Sequence, residues 1–250
     1  MDYEREPFYI PERALVIAAH ADDIEFGASG TVARWTDAGA HVTYCIVTDS
    51  GAGNNDPGTD LEQLKKTRIE EQRASAHEVG VEDVIFLQGY ADGTLEPTLA
   101  LRKDLTRVIR QVRPNVVLTF DPETVIAGNR AYINHPDHRA VAEAARYAVF
   151  PSAGARPIFM DLLDEGLETH EVDRVYFFLS HDPDTYIDIT RTIARKANAL
   201  RCHPSQFDEK VVQMVMEWNA EAGKVAGVDY AERFRTMVFR GEDEKTAEGQ

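Results

Sequence analysis

The chain has only two cysteines, Cys45 and Cys202, far apart in the sequence. Two isolated thiols make neither a disulfide framework nor a cysteine-rich zinc site. Cys45 falls inside the apolar run 42–47 and reads as a small buried hydrophobe. Long apolar runs are also missing: none approaches the ~18 residues that a membrane-crossing helix needs. The opening MDYEREPFYIPE lacks the basic-then-apolar order of a secretory signal, so a cytoplasmic location is expected. Positive charge is scarce, with 27 Lys and Arg against 43 Asp and Glu and a net charge of −16. A surface that acidic repels phosphate backbones and anionic lipid heads, which argues against nucleic acid or a membrane as partner; its ordinary use is solubility. No G-x-G-x-x-G follows the first apolar run, which removes the dinucleotide-binding fingerprint.

What is present is an alternation of short apolar runs and amphipathic stretches, the pattern of βαβ units. Apolar runs at 14–19, 42–47, 84–87 and 116–120 predict buried strands, with later ones at 175–179 and 186–189. Between them, helices are expected at 27–38, 61–79, 99–112, 138–149, 191–201 and 210–226. The fold class is therefore α/β: a Rossmann-like three-layer αβα arrangement with a mostly parallel sheet in the order 3-2-1-4. One domain is expected over 1–250, its core at about 12–240 and a flexible polar tail at 241–250. Long polar loops follow the second and fourth strands, at 49–60 and 121–137. In such a sheet ligands bind beyond the carboxyl ends of the strands, where connections leave in opposite directions.

Two polar clusters fall at that point. The first strand runs into His20-Ala21-Asp22-Asp23, with Glu25 beyond; the fourth is followed, one loop later, by His135-Pro136-Asp137-His138. Singly, each has an ordinary explanation: a strand-end histidine is usually a hydrogen-bonded core residue, and an aspartate pair after a strand commonly caps a helix. Their meeting at one crevice points to a metal site. Two imidazoles and a carboxylate with a position left open make the ligand set of a catalytic zinc ion, whereas structural sites close the shell. His20 and Asp23 are spaced so that one turn can aim both at an ion, leaving Asp22 free to act on water.

Beyond the two clusters, AAHADDIEFGASGTVARW resembles the first motif of the PIG-L/LmbE-like deacetylases, usually AHPDDxE, and NHPDHRAVAEAA resembles their HPDH motif. RIEEQRASAHEVGV followed by ADGTL resembles the intervening segment, and ALRCHPSQF the downstream H-x-S-Q segment, all in order from about residue 14 to 207. The resemblance implies a zinc-dependent N-acetylglucosamine deacetylase acting on a small amino-sugar substrate, often as a homo-oligomer. It implies one zinc per chain held by His20, Asp23 and His138. Asp22 is implied as general base, His135 as oxyanion stabiliser and proton donor, and Asp137 as the group orienting His135. Arg68 and Asp92 match positions that contact sugar hydroxyls. Two departures stand out: Ala21 replaces the usual proline, loosening the turn before Asp22, and Ser29 stands where glycine is common. Zinc brings the pKa of bound water from 15.7 to roughly 7, after which Asp22 can take a proton. Either His135 or the protonated Asp22 can then supply the leaving amine.

Two other functions fit the same residues less well. A metal-dependent phosphoesterase usually wants two metals and more carboxylates, and an inactive sugar- or metal-binding module has no use for Asp22. Several candidates also have plainer readings. Arg68 stands among Lys65, Lys66, Glu70 and Glu71, where surface ion pairs are ordinary, and Asp92-Gly93 is a good turn pair. His203, before Pro204, is a weaker site candidate. His41, His77, His170 and His181 carry no motif, and Trp35 and Trp218 read as core-facing. The loops 49–60 and 121–134 are expected to set the substrate.

Overall fold

The computed structural model describes residues 8–127 and 132–240. The expected tail at 241–250, the start of the chain and the middle of the loop at 121–137 lie outside the described residues. The first apolar run forms β1 (Arg13–Ala18), buried from Ala14 onward. It is followed by α1 (Asp23–Gly27), α2 (Ser29–Asp37), β2 (His41–Ile46), α3 (Leu61–Glu78) and β3 (Asp83–Phe86). Next come α4 (Leu99–Val112), β4 (Val116–Phe120), a two-stranded ribbon of β5 (Ile126–Ala127) and β6 (Tyr132–Ile133), and α5 (Pro136–Tyr147). The chain continues through α6 (Asp161–Asp164), β7 (Arg174–Phe178), β8 (Thr185–Asp188), α7 (Ile193–Arg201), α8 (Glu209–Ala226) and β9 (Ala231–Val238).

Seven strands form one sheet in the order β3-β2-β1-β4-β7-β9-β8. The five from β3 to β7 run parallel, as the continuous apolar runs predict, and β9 is antiparallel to both neighbours. β9 is absent from the sequence reading because its residues Glu232, Arg233 and Arg235 break up the apolar pattern; only Ala231 and Phe234 read as core. Helices cover both faces. α4 and α5 pack on each other and against β1, while α7 on the other side touches α1, α2, α3 and α8. Fully buried Val16 and Ile17 of β1 each contribute roughly 1.5–3 kcal/mol by leaving water.

Local chemistry sets the helix ends. Asp60 and Thr98 cap α3 and α4 through their side chains, and Pro136 opens α5 at a position where a missing N–H costs nothing. α5 therefore starts two residues earlier than expected, which puts Asp137 and His138 in its first turn and His135 at its cap. The helix expected at 27–38 is α2 at Ser29–Asp37, set off from the short α1 before it where Ala28 leaves helical geometry (φ −145°). Trp35 is buried and its indole N–H donates to Tyr9 O at 2.8 Å. Trp218, expected in the core, is 46% exposed on α8.

One buried ion pair ties the second layer to the sheet. Lys196 Nζ of α7 lies 2.5 Å from Glu232 Oε1 of β9, and the same carboxylate accepts the N–H groups of Gly30 (2.9 Å) and Thr31 (2.7 Å) at the start of α2. That start has free amide donors and a partial positive charge, so the carboxylate satisfies both. Among the described residues no helix is long and apolar enough to cross a membrane.

Candidate metal centre and its cleft

β1 and β4 are neighbours, and the chain leaves β1 for α1 on one face and β4 for α5 on the other. The motifs that follow them therefore meet beyond their carboxyl ends. Asp23 lies between two imidazoles: its Oδ2 is 3.3 Å from His20 Nδ1 and its Oδ1 is 3.0 Å from His138 Nε2. The three expected ligands thus come together, linked through one carboxylate. Among the described residues, two sets of three offer ligand atoms all within 4.8 Å of one another: His20, His135 and His138, and His20, Asp92 and Asp137.

Asp22 takes a backbone φ of 111°, which side-chain-bearing residues rarely adopt. Its surroundings hold it there. Its N–H donates to Gln72 Oε1 at 2.9 Å, and Gln72 Nε2 in turn donates to Glu25 Oε1 at 3.0 Å. Ser75 Oγ donates to the same Glu25 oxygen at 2.5 Å. Its carboxylate meets Arg68 Nη2 at 2.8 Å, and the same guanidinium donates to Ala21 O and, at 3.0 Å, to Ser50 O. The Ala21 N–H, which a proline would lack, donates to Ser50 Oγ at 2.9 Å. The departure from the family motif therefore adds a bond to this turn rather than loosening it.

Several expected roles look different in three dimensions. Arg68 is 3% exposed, its guanidinium bonded to Ala21, Asp22 and Ser50. The bonds within the protein explain its burial, and the surface-pair reading is wrong. Asp92 faces inward too: Oδ1 is 3.0 Å from His20 Nε2, and Oδ2 accepts from the Ala52 N–H at 2.9 Å. The Asp137 carboxylate is 4.0 Å from His135 Nδ1, too long for a hydrogen bond. It accepts instead from His20 Nε2 (3.1 Å), Gly93 N–H (2.7 Å) and Leu95 N–H (3.1 Å). What His135 receives is the backbone N–H of Asp137, at 3.3 Å from Nδ1. Because Nδ1 accepts, the ring proton of neutral His135 sits on Nε2.

The electrostatics follow from burial of many charges together. Burial works against a charged His20, but Asp23, Asp137 and Asp92 outweigh it and raise its pKa to about 12. Burial also opposes the Asp23 charge, yet His138 and His20 hold its carboxyl well below the usual range. Burial pushes Asp22 up to about 7 against the pull of Arg68. His135 is pushed down, first by burial and then by His20 and His138. Among the described residues, Asp22, Asp23, Asp92 and Asp137 share the cleft with the guanidinium of Arg68, which meets Asp22 at 2.8 Å and Asp92 at 3.9 Å. Such a field demands positive charge, and His20 meets that demand by holding a proton. A divalent cation would satisfy it better, and imidazole nitrogen with carboxylate oxygen is a donor set that zinc accepts. The residues fit a metal.

Several members of the site were not singled out in the sequence. Gln72 and Ser75 follow Arg68 at i+4 and i+7, and all three are buried on α3; a polar stripe at helical spacing in an otherwise charged helix was the available signal. Asn134 precedes the second motif and Phe120 ends β4. His203 lies inside, fully buried, with its Nε2 3.5 Å from Glu25 Oε2.

Comparison with known proteins fits this geometry. A diacetylchitobiose deacetylase of Thermococcus kodakarensis is 33% identical over 238 residues, covering 92% of this chain and 85% of that protein. A probable N-acetyl-alpha-D-glucosaminyl L-malate deacetylase 2 of Bacillus anthracis is 26% identical, with 92% and 96% covered. The solved N,N'-diacetylchitobiose deacetylase of Pyrococcus horikoshii superposes with a TM-score of 0.85 at 31% identity, covering 95% of this chain and 87% of that one. The family described as PIG-L: GlcNAc-PI de-N-acetylase matches residues 15–149, the stretch that carries both motifs, and the chain belongs to that family.

Proposed function

We propose that this protein removes the acetyl group from an N-acetylglucosamine-type sugar or glycoconjugate by hydrolysis of the amide. The observation that carries the reading is the contact of the Asp23 carboxylate with both His20 and His138, with Asp22 adjacent, in a chain whose relatives include sugar deacetylases. His20, Asp23 and His138 would hold the ion, and zinc is the ion we expect. An ion held by these residues would supply polarisation of the amide carbonyl and a water that is a usable nucleophile near neutral pH.

The remaining steps belong to the chain's own side chains. Asp22 accepts the proton of the attacking water; a carboxyl with a pKa near 7 is matched to proton transfer at neutral pH. Arg68 holds that carboxylate directly, and Gln72 holds the Asp22 backbone by accepting its N–H. His135, the partly exposed cap residue of α5, offers its Nε2–H to the oxyanion as the carbonyl becomes tetrahedral. Asp137 and Asp92 orient His20 by accepting from its Nε2, the usual arrangement behind a metal-binding imidazole. Arg68 and Asp92 thus act on the site through Asp22 and His20. A cytoplasmic homo-oligomer without nucleic-acid or membrane partners accompanies this reading as an expectation.

An acetate-release assay on N-acetylglucosamine, N,N'-diacetylchitobiose and their conjugates tests it, run with and without a chelator and with Asp22→Asn. Turnover should disappear on chelation and return with zinc, and the variant should keep its metal while losing most activity. Unchanged turnover in Asp22→Asn would show the base to be misassigned.

A further inference from the structure

Asn134 lies directly before the HPDH segment and is 8% exposed. Its backbone N–H donates to Val125 O at 2.9 Å and its side-chain Nδ2 donates to Thr124 O at 2.8 Å. Both bonds fix the residue to the chain leaving β4. Thr124 is itself held, its N–H reaching Asp121 O at 3.3 Å and its Oγ1 accepting the His181 N–H at 3.1 Å. The other end of the amide, Oδ1, lies 3.1 Å from His138 Nδ1.

The direction of this last bond is decided by the first. A carbonyl oxygen can only accept, so the NH₂ of Asn134 must face Thr124 O and its Oδ1 must face His138. The bond then requires a proton on Nδ1. In the neutral ring that leaves Nε2 with a bare lone pair, and Nε2 is the nitrogen that meets Asp23, 3.0 Å away. Phe120 fixes the remaining freedom, stacked on the His138 ring at 4.1 Å between centroids and 8° between planes. His20 has the same support in a charged form, from Asp137 and Asp92 on its Nε2.

We propose that Asn134 is the positioning residue of His138: it sets the tautomer that turns Nε2 toward the metal. The inference rests on the metal-site reading above. It assigns the two ends of one amide different jobs, one on the metal ligand and one on the loop, so they can be separated by experiment.

The test measures zinc affinity by competition with a chromophoric chelator, together with thermal unfolding of the zinc-free protein. Asn134→Ala removes the acceptor, and the zinc dissociation constant should rise about 10–100-fold, the usual cost of deleting a partner behind a metal-binding histidine. Asn134→Asp keeps an acceptor for Nδ1–H but sets a carboxylate against Thr124 O. It should hold zinc within about threefold of the parent while its zinc-free form unfolds at a lower temperature. If both variants lose thermal stability and neither loses zinc affinity, Asn134 is a loop staple only and the proposal is wrong. Nitrogen NMR of the zinc-loaded parent gives a check that needs no variant: His138 should show a protonated Nδ1 and a metal-bound Nε2, and the reverse assignment overturns the inference. A parent that binds no zinc refutes the metal reading itself, a result distinct from either outcome.

Discussion

Replacing Gln72 by leucine probes how the conformation of Asp22 is maintained. A non-glycine residue held at φ 111° stores strain of order 1–3 kcal/mol and persists only where its surroundings over-determine it. Gln72 supplies the acceptor for the Asp22 N–H and a donor to buried Glu25. Leucine fills a similar volume but leaves the amide unpaired and takes one of Glu25's donors away. Each loss costs about 1–3 kcal/mol, less any relaxation, so roughly 2–4 kcal/mol overall. For a chain this long that corresponds to a fall in Tm of about 5–15 °C. The cheapest relaxation lets Asp22 leave its strained conformation, moving the carboxylate away from its place beside Asp23. A displacement of about 1 Å at a reacting group can cost on the order of 100-fold, so kcat should fall by about that factor while KM and zinc affinity stay nearly constant. Steady-state acetate release on zinc-loaded protein, paired with calorimetry, measures both. A lower Tm with kcat within threefold of the parent would show that Gln72 supports the fold and that Asp22 keeps its geometry without it.

Other perturbations test other parts of the structure. Lys196→Met leaves Glu232 charged and buried with only two backbone donors, and calorimetry should show a loss of about 3–5 kcal/mol, the usual cost of breaking a buried pair; a change below 1 kcal/mol would mean that the pair is balanced by its desolvation. Gly27→Ala would place a Cβ 2.6 Å from Phe178 Cδ2. Phe178 packs on Phe120, which stacks on His138, so overpacking of about 1–3 kcal/mol should come with weakened zinc binding, and a fully stable variant would contradict the packing argument. For His203, burial opposes its charge but Glu25, Asp22 and Glu71 raise its pKa above 6.5. The folded protein therefore holds this proton more tightly than the unfolded chain. That stabilisation is complete below about pH 6.5 and is lost as pH rises through the folded-state value. Urea unfolding across that range should show the decline in the parent and a flatter profile in His203→Gln; equal slopes would refute it.

How far the sequence was legible depends on the range of the forces concerned. Continuous apolar runs fixed β1, β2 and β4 as buried parallel strands, and from them the switch point and the meeting of His20 with His138 followed. β9 escaped because its alternating charges become interpretable only once β7 and β8 are beside it. The residue types at the site were readable for the same reason as the strands: motif spacing is a local property. Which oxygen faces which nitrogen is not local. Asp137 follows His135 by two positions, and pairing them was natural, yet the N–H groups of Gly93 and Leu95, more than forty residues away, take hold of that carboxylate and turn it toward His20.

Arg68 shows the same limit more sharply, and it bears on how the base works. On sequence it sits in a charged helix with Lys65, Lys66, Glu70 and Glu71, where a surface ion pair with a glutamate is the ordinary expectation. In the fold Glu71 turns instead to Ser205, accepting its N–H at 2.9 Å and its Oγ–H at 2.6 Å, which leaves the guanidinium to the turn at Ala21 and Asp22. A permanent cation 2.8 Å from a base lowers its proton affinity, yet the Asp22 carboxyl rises to about 7 because burial outweighs that pull. The cation therefore contributes position at a cost in basicity that the buried setting more than restores. Removing the charge but keeping the shape, as in Arg68→Met, should leave a more basic but poorly aimed carboxylate, with lower kcat and a pH–rate limb moved upward. A limb that moved downward would refute the assignment of Arg68 as the group that lowers the proton affinity of this carboxyl.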